Sequence, residues 1–129
     1  RQREGSDVTI VSFGKIIKEA YKAADELAKE NISCEIIDLR TVRPLDTETI
    51  LKSVKKTNRL VILEEAWPFG NVATEITFQV QSKAFDYLDA PIEKINTADT
   101  PAPYSPVLLK EWLPNSEDVI NSVTKVLYK

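Results

Sequence analysis

An α/β fold built on a mostly parallel sheet with helices on both faces is what this sequence predicts, and three observations predict it. Short runs rich in β-branched and apolar residues, apolar on successive positions instead of alternating, recur at residues 7–13, 33–39 and 59–64. Between them lie segments whose apolar residues return at three- and four-residue spacing, the mark of an amphipathic helix. A further helix, short strand and helix follow, so the alternation continues through the chain.

Each element has its own local grounds. The first strand, Asp7-Val8-Thr9-Ile10-Val11-Ser12-Phe13, ends at Gly14. Ile17, Ala20, Ala24 and Leu27, with Tyr21 and Ala28 beside them, form the apolar stripe of a helix from Lys15 to about Glu30 that Asn31 stops. The second strand spans residues 33–39, and Pro44 marks the loop after it as non-helical. Asp46 or Thr47 can cap the helix that carries Ile50, Leu51 and Val54. After the third strand and the loop Glu65-Ala66-Trp67-Pro68-Phe69-Gly70, a helix from about Asn71 places Val72, Ala73, Ile76, Val80 and Ala84 on its apolar side. A short strand is expected at residues 92–95, and 97–114, with four prolines, reads as irregular. Ser116 is the expected cap of the last helix, with Val119, Ile120, Val123, Val126 and Leu127 as its buried face.

Composition narrows the function. The chain has 129 residues, enough for one hydrophobic core, and a net charge of −3 with its lysines dispersed, which argues against a nucleic-acid footprint. There is no histidine, the usual general base and zinc ligand, and a single cysteine, Cys34, so neither an internal disulfide nor a cysteine metal cluster can form. No apolar stretch approaches the length of a membrane span, so a soluble domain is expected, and the lone cysteine makes bacterial cytoplasm or an organelle matrix its natural setting. Residues 1–7 read as the frayed end of an interdomain linker and 8–129 as the domain.

Few residues offer chemistry. Gly14 stands alone at its turn and lacks the further glycines of a dinucleotide fingerprint. Glu64 and Glu65 lie at the carboxyl end of the third strand, where open parallel sheets place ligands. Adjacent residues of an extended chain point opposite ways, however, so solvated or salt-bridged carboxylates are the plain reading. Trp67 and Phe69 in a proline-containing loop suit an interface, or packing over the domain's own sheet edge. The loop holding Asp99, Thr100 and Tyr104 is long and proline-rich, as a fixed contact surface or a rigid wrap would be. Cys34, inside an apolar strand with no histidine to activate it, reads as structural.

Several segments, in order and spacing, carry a resemblance. Gly5-Ser6-Asp7-Val8-Thr9-Ile10-Val11, then Ile37-Asp38-Leu39-Arg40-Thr41-Val42-Arg43-Pro44-Leu45-Asp46, then Lys55-Lys56-Thr57-Asn58-Arg59-Leu60-Val61, then Glu64-Glu65-Ala66-Trp67-Pro68, then Phe85-Asp86-Tyr87-Leu88-Asp89-Ala90-Pro91 resemble one family closely. It is the carboxy-terminal, transketolase-like domain of the beta subunit of the pyruvate dehydrogenase decarboxylating component. The resemblance runs from Gly5 to the last helix and implies a three-layer α/β/α sandwich with a mostly parallel mixed sheet. It departs from the family where Ala66, Asn71 and Ala73 replace glycines, and Thr100 is more like the branched-chain 2-oxoacid enzyme while Tyr104 is more like the pyruvate enzyme.

What the resemblance implies is assembly. Thiamine diphosphate and magnesium would be held in the intact enzyme by groups outside this chain, so the fragment alone is expected to be inactive and to carry no catalytic, cofactor or metal ligand. The partners implied are an alpha subunit and a second beta subunit in an α2β2 tetramer, and the basic subunit-binding domain of the dihydrolipoyl acetyltransferase. That basic partner would meet Asp89 and the terminal carboxylate, which falls on Lys129 if the chain ends there. Glu64, Glu65, Trp67, Phe69 and Tyr104 are the candidate subunit-interface residues. The alternatives are the same domain of a branched-chain 2-oxoacid dehydrogenase or another transketolase-like enzyme, and a free-standing protein-binding module.

Overall fold

The computed structural model describes residues 3–12, 16–39, 47–64, 72–95 and 115–128, the side chains of 72–74 excepted. Strand β1 (Val8–Ser12) leads to helix α1 (Ile17–Ala28), β2 (Cys34–Asp38), α2 (Thr47–Thr57) and β3 (Leu60–Leu63). Helix α3 (Val72–Ala84), a 3-10 turn (Phe85–Tyr87), β4 (Glu93–Ile95) and α4 (Ser116–Val126) complete it. The four strands form one sheet in the order β2-β1-β3-β4, and every described pairing is parallel. The one antiparallel contact among the described residues is an isolated bridge between Arg3 and Ile36.

Both faces of the sheet are covered, as strands apolar on successive positions require. Ile10, Ile36, Val61 and Leu63 turn to one side and pack with Ala20, Ala24 and Leu27 of α1 and Val119, Val123 and Val126 of α4. Val11, Ile37, Leu60 and Ile62 turn to the other and meet Ile50 and Val54 of α2 and Ile76 and Val80 of α3. Side chains of this size each contribute about 1.5–3 kcal/mol when fully buried, so the two cores are what hold the three layers together.

Two expectations change at the ends of elements. The cap of α4 is Asn115, not Ser116: the Asn115 side chain accepts from the Asp118 N–H, and the Asp118 carboxylate accepts from the Asn115 N–H. This reciprocal pair satisfies two donors at once. Ser116 becomes the first helical residue, and its N–H donates to Glu19 Oε1 at 2.9 Å, tying α4 to α1. Residues 3–7, expected as part of a frayed linker end, are tied down. Arg3 exchanges both backbone bonds with Ile36, Asp7 N–H donates to Ser33 O at 2.8 Å, and Ser33 N–H donates to Asp7 Oδ2 at 2.7 Å. Arg3 therefore pairs part of the outer edge of β2 through Ile36, while Asp7 extends the β1–β2 ladder to Ser33. The approach is close enough that a Cβ on Gly5 would lie 2.3 Å from the Cys34 carbonyl carbon.

The stop at Asn31 is as expected, with that residue in the left-handed region at φ 63°. Gly14, Asp46 and Asn71, read as a turn and caps, lie outside the described residues. Among the described residues no helix is long and apolar enough to cross a membrane.

Candidate protein-docking surface

A parallel sheet puts all strand starts at one end, and the polar contacts there form a continuous line. Ser33 precedes β2, Asp7 precedes β1, and Asn58 and Arg59 precede β3. The Arg59 guanidinium reaches Asp7 O at 3.3 Å, and Thr9 N–H donates to Arg59 O at 2.9 Å. Asp89, on the approach to β4, joins the line through Asn58 and Arg59. Its N–H donates to Asn58 O at 2.8 Å, and its carboxylate lies 3.8 Å from the Arg59 guanidinium. On the other side of the residue, the Tyr128 hydroxyl donates to Asp89 O at 3.4 Å. The peptide groups flanking Asp89 are thus held while its side chain stays 56% exposed. Nearby positions add aromatic surface: Phe85 and Tyr87 are exposed in the 3-10 turn, Tyr128 is 72% exposed, and Lys55 Nζ sits 5.3 Å from the Tyr87 ring centre.

A second polar cluster lies toward the opposite edge of the sheet. A cleft of about 560 Å³ is lined by Arg3, Glu4, Glu35, Lys52, Ser53 and Lys56, among others. Glu35 is its hub. One carboxylate oxygen accepts from Lys56 and from the Gly5 N–H, and the other accepts from Ser53. Ser53 Oγ lies 2.7 Å from the buried Thr9 hydroxyl, which lies 2.7 Å from Thr57 Oγ1, and Thr57 donates to Arg59 O. Burial pushes the Glu35 carboxyl up, but the hydrogen bonds from Lys56, Ser53 and the Gly5 N–H, with the Lys56 charge, outweigh it and hold the group below the usual carboxylate range. This network links β1, β2, α2 and the incoming segment; no local pattern in the sequence marks it.

The remaining candidates separate cleanly. Glu64 is 1% exposed, so of its solvated and salt-bridged readings the solvated one does not hold; its N–H continues the β3–β4 ladder to Ile95 O at 3.0 Å. Its side chain is inside this chain, not on an open face. Glu65, Trp67, Phe69, Tyr104 and Lys129 lie outside the described residues. Cys34 is buried, and burial raises its thiol to about 11, with the Arg3 charge opposing and Asp7 adding; it is a structural cysteine. Among the described residues no three His, Cys, Asp or Glu side chains come together as a metal site would need.

Fold and described surface together define the class: a three-layer α/β/α domain with an exposed carboxylate, Asp89, where the chain approaches the amino end of β4. The chain belongs to the transketolase C-terminal domain family, whose model matches residues 1–119. It is 56% identical over 126 residues to the pyruvate dehydrogenase E1 component subunit beta of Rickettsia felis, covering 98% of this chain and 39% of that protein. The mitochondrial E1 subunit beta of Dictyostelium discoideum is 48% identical over 125 residues, covering 97% of this chain and 35% of that protein. The chain thus spans less than half the length of these relatives. Among solved structures, a split-gene transketolase in an inactive beta4 tetramer superposes with a TM-score of 0.86 at 27% identity, over 99% of this chain and 42% of that one.

Proposed function

We propose that this chain is the assembly and acyltransferase-docking domain of a pyruvate dehydrogenase beta subunit. The intact enzyme decarboxylates pyruvate and reductively acetylates lipoyl groups in bacterial cytoplasm or an organelle matrix, as an α2β2 tetramer. The similarity to beta subunits along nearly the whole chain supports the subunit. The observation that carries the docking role is Asp89: an exposed carboxylate on an anchored backbone, with the Tyr128 hydroxyl donating to its backbone carbonyl and Lys129 next in the chain after Tyr128. A basic partner gains encounter rate and orientation from such a group.

Thiamine diphosphate supplies the electron sink for the decarboxylation when bound in the intact enzyme. The described residues do not fit a magnesium–diphosphate site, since no three acidic, histidine or cysteine side chains converge and Lys56 of the cleft is committed to Glu35. No step of that chemistry is assigned to this chain; it holds other parts in place.

Calorimetric titration of the assembled enzyme with the basic subunit-binding domain, at low and physiological salt, tests the reading. Saturable binding that weakens with salt and falls at least tenfold in Asp89→Ala, a loss of about 1.4 kcal/mol, is the expected result. Binding unchanged by the substitution would remove Asp89 from the docking surface.

A further inference from the structure

Asn58 stands out from the helix-end residues around it. It follows α2 directly in the left-handed region, at φ 64°, a conformation asparagine tolerates better than most residues. In that conformation it makes two contacts with the same short segment. Its backbone carbonyl accepts from the Asp89 N–H at 2.8 Å, and its side-chain Nδ2 donates to Tyr87 O at 2.7 Å. The two bonds bracket Leu88, which packs against the α2–α3 core. The next residue, Arg59, supplies the cation 3.8 Å from the Asp89 carboxylate.

An exposed aspartate on a loose loop would lose conformational freedom on meeting a partner, and that cost would weaken the contact. Here the segment is fixed before any partner arrives. We propose that Asn58 is the positioning residue of the docking surface: its two-point clamp on residues 87–89 pre-orders Asp89 for a basic group, which on binding takes Arg59's place as counter-ion or joins it. The inference rests on the docking role of Asp89 proposed above. It adds a residue that touches no partner and acts only through Asp89.

A double-mutant cycle in the assembled enzyme tests it, with the purified basic subunit-binding domain as the probe. Asn58→Gly keeps the left-handed backbone and the carbonyl but deletes the Nδ2 donor, so folding is preserved. Asn58→Asp keeps the size and replaces the donor by an acceptor facing Tyr87 O. Both are expected to weaken binding about three- to tenfold, the worth of one hydrogen bond, while Asn58→Gly is silent when Asp89 is already alanine. A merely structural role would weaken both backgrounds equally, and that result overturns the inference, as does unchanged affinity in both Asn58 variants. If Asp89→Ala alone leaves affinity unchanged, the docking reading itself fails, which the cycle separates from a failure of Asn58.

Discussion

Glu35 and Asp89 carry the same charge toward opposite edges of the same sheet, yet their surroundings satisfy them differently. Glu35 accepts bonds from a lysine, a serine and a backbone N–H, and its side chain is only 12% exposed. Asp89 has one ion pair at 3.8 Å and more than half its side chain in solvent. Around Glu35 the carboxylate is held in place by its surroundings. Around Asp89 the backbone is held and the carboxylate is left available. The two acids differ in which atoms are already satisfied: the carboxylate at Glu35, the flanking backbone at Asp89.

The comparison breaks most directly in stability. Glu35→Ala removes the acceptor for Ser53 and Lys56 and loosens residues 3–7 from β2; it is expected to cost about 2 kcal/mol in chemical denaturation. Asp89→Ala should change stability by less than about 0.5 kcal/mol, since a pair this exposed contributes little to folding. Equal losses in both variants would erase the distinction.

A pH series sharpens it. The folded-state pKa of Glu35 lies below its unfolded value, so its contribution is complete above the ordinary carboxylate range and is lost as pH falls below 4.5 toward the folded pKa. Glu35→Gln should therefore flatten part of the acid limb of the stability curve, read as melting temperature against pH. A smaller effect is expected at Tyr128→Phe, which deletes the hydroxyl bonded to Asp89 O across 3.4 Å. Stability should shift by less than about 0.5 kcal/mol and affinity for the basic domain by about twofold.

The layers were legible because their physics is local. Ile10 with Val11, and Ile36 with Ile37, are adjacent apolar pairs that only a sheet buried on both faces accommodates. The cap of α4 falls one residue before the expected Ser116 because Asn115 and Ser116 are both good caps; the signal that decides is Asp118, three residues after Asn115, which completes the reciprocal pair. Of the solvated and salt-bridged readings of Glu64, burial removes the solvated one, and nothing in its sequence neighbours reveals that its N–H continues the β3–β4 ladder. The Glu35–Ser53–Thr9–Thr57 network joins residues far apart in the chain, so only the folded arrangement reveals it. The expectation at Asp89 comes from family resemblance alone, and the bonds of Asn58 to residues 87 and 89 join positions too far apart in the chain for a local pattern to show.

Hydrogen exchange of the assembled enzyme, with and without the basic subunit-binding domain, tests the central claim that the docking surface lies at Asp89 and the Glu35 cluster is internal structure. The account predicts slowed exchange in peptides covering residues 85–89 and 127–128, with those covering residues 3–7 and 33–36 unchanged. Protection of the β2 edge, with residues 85–89 unaffected, would contradict it.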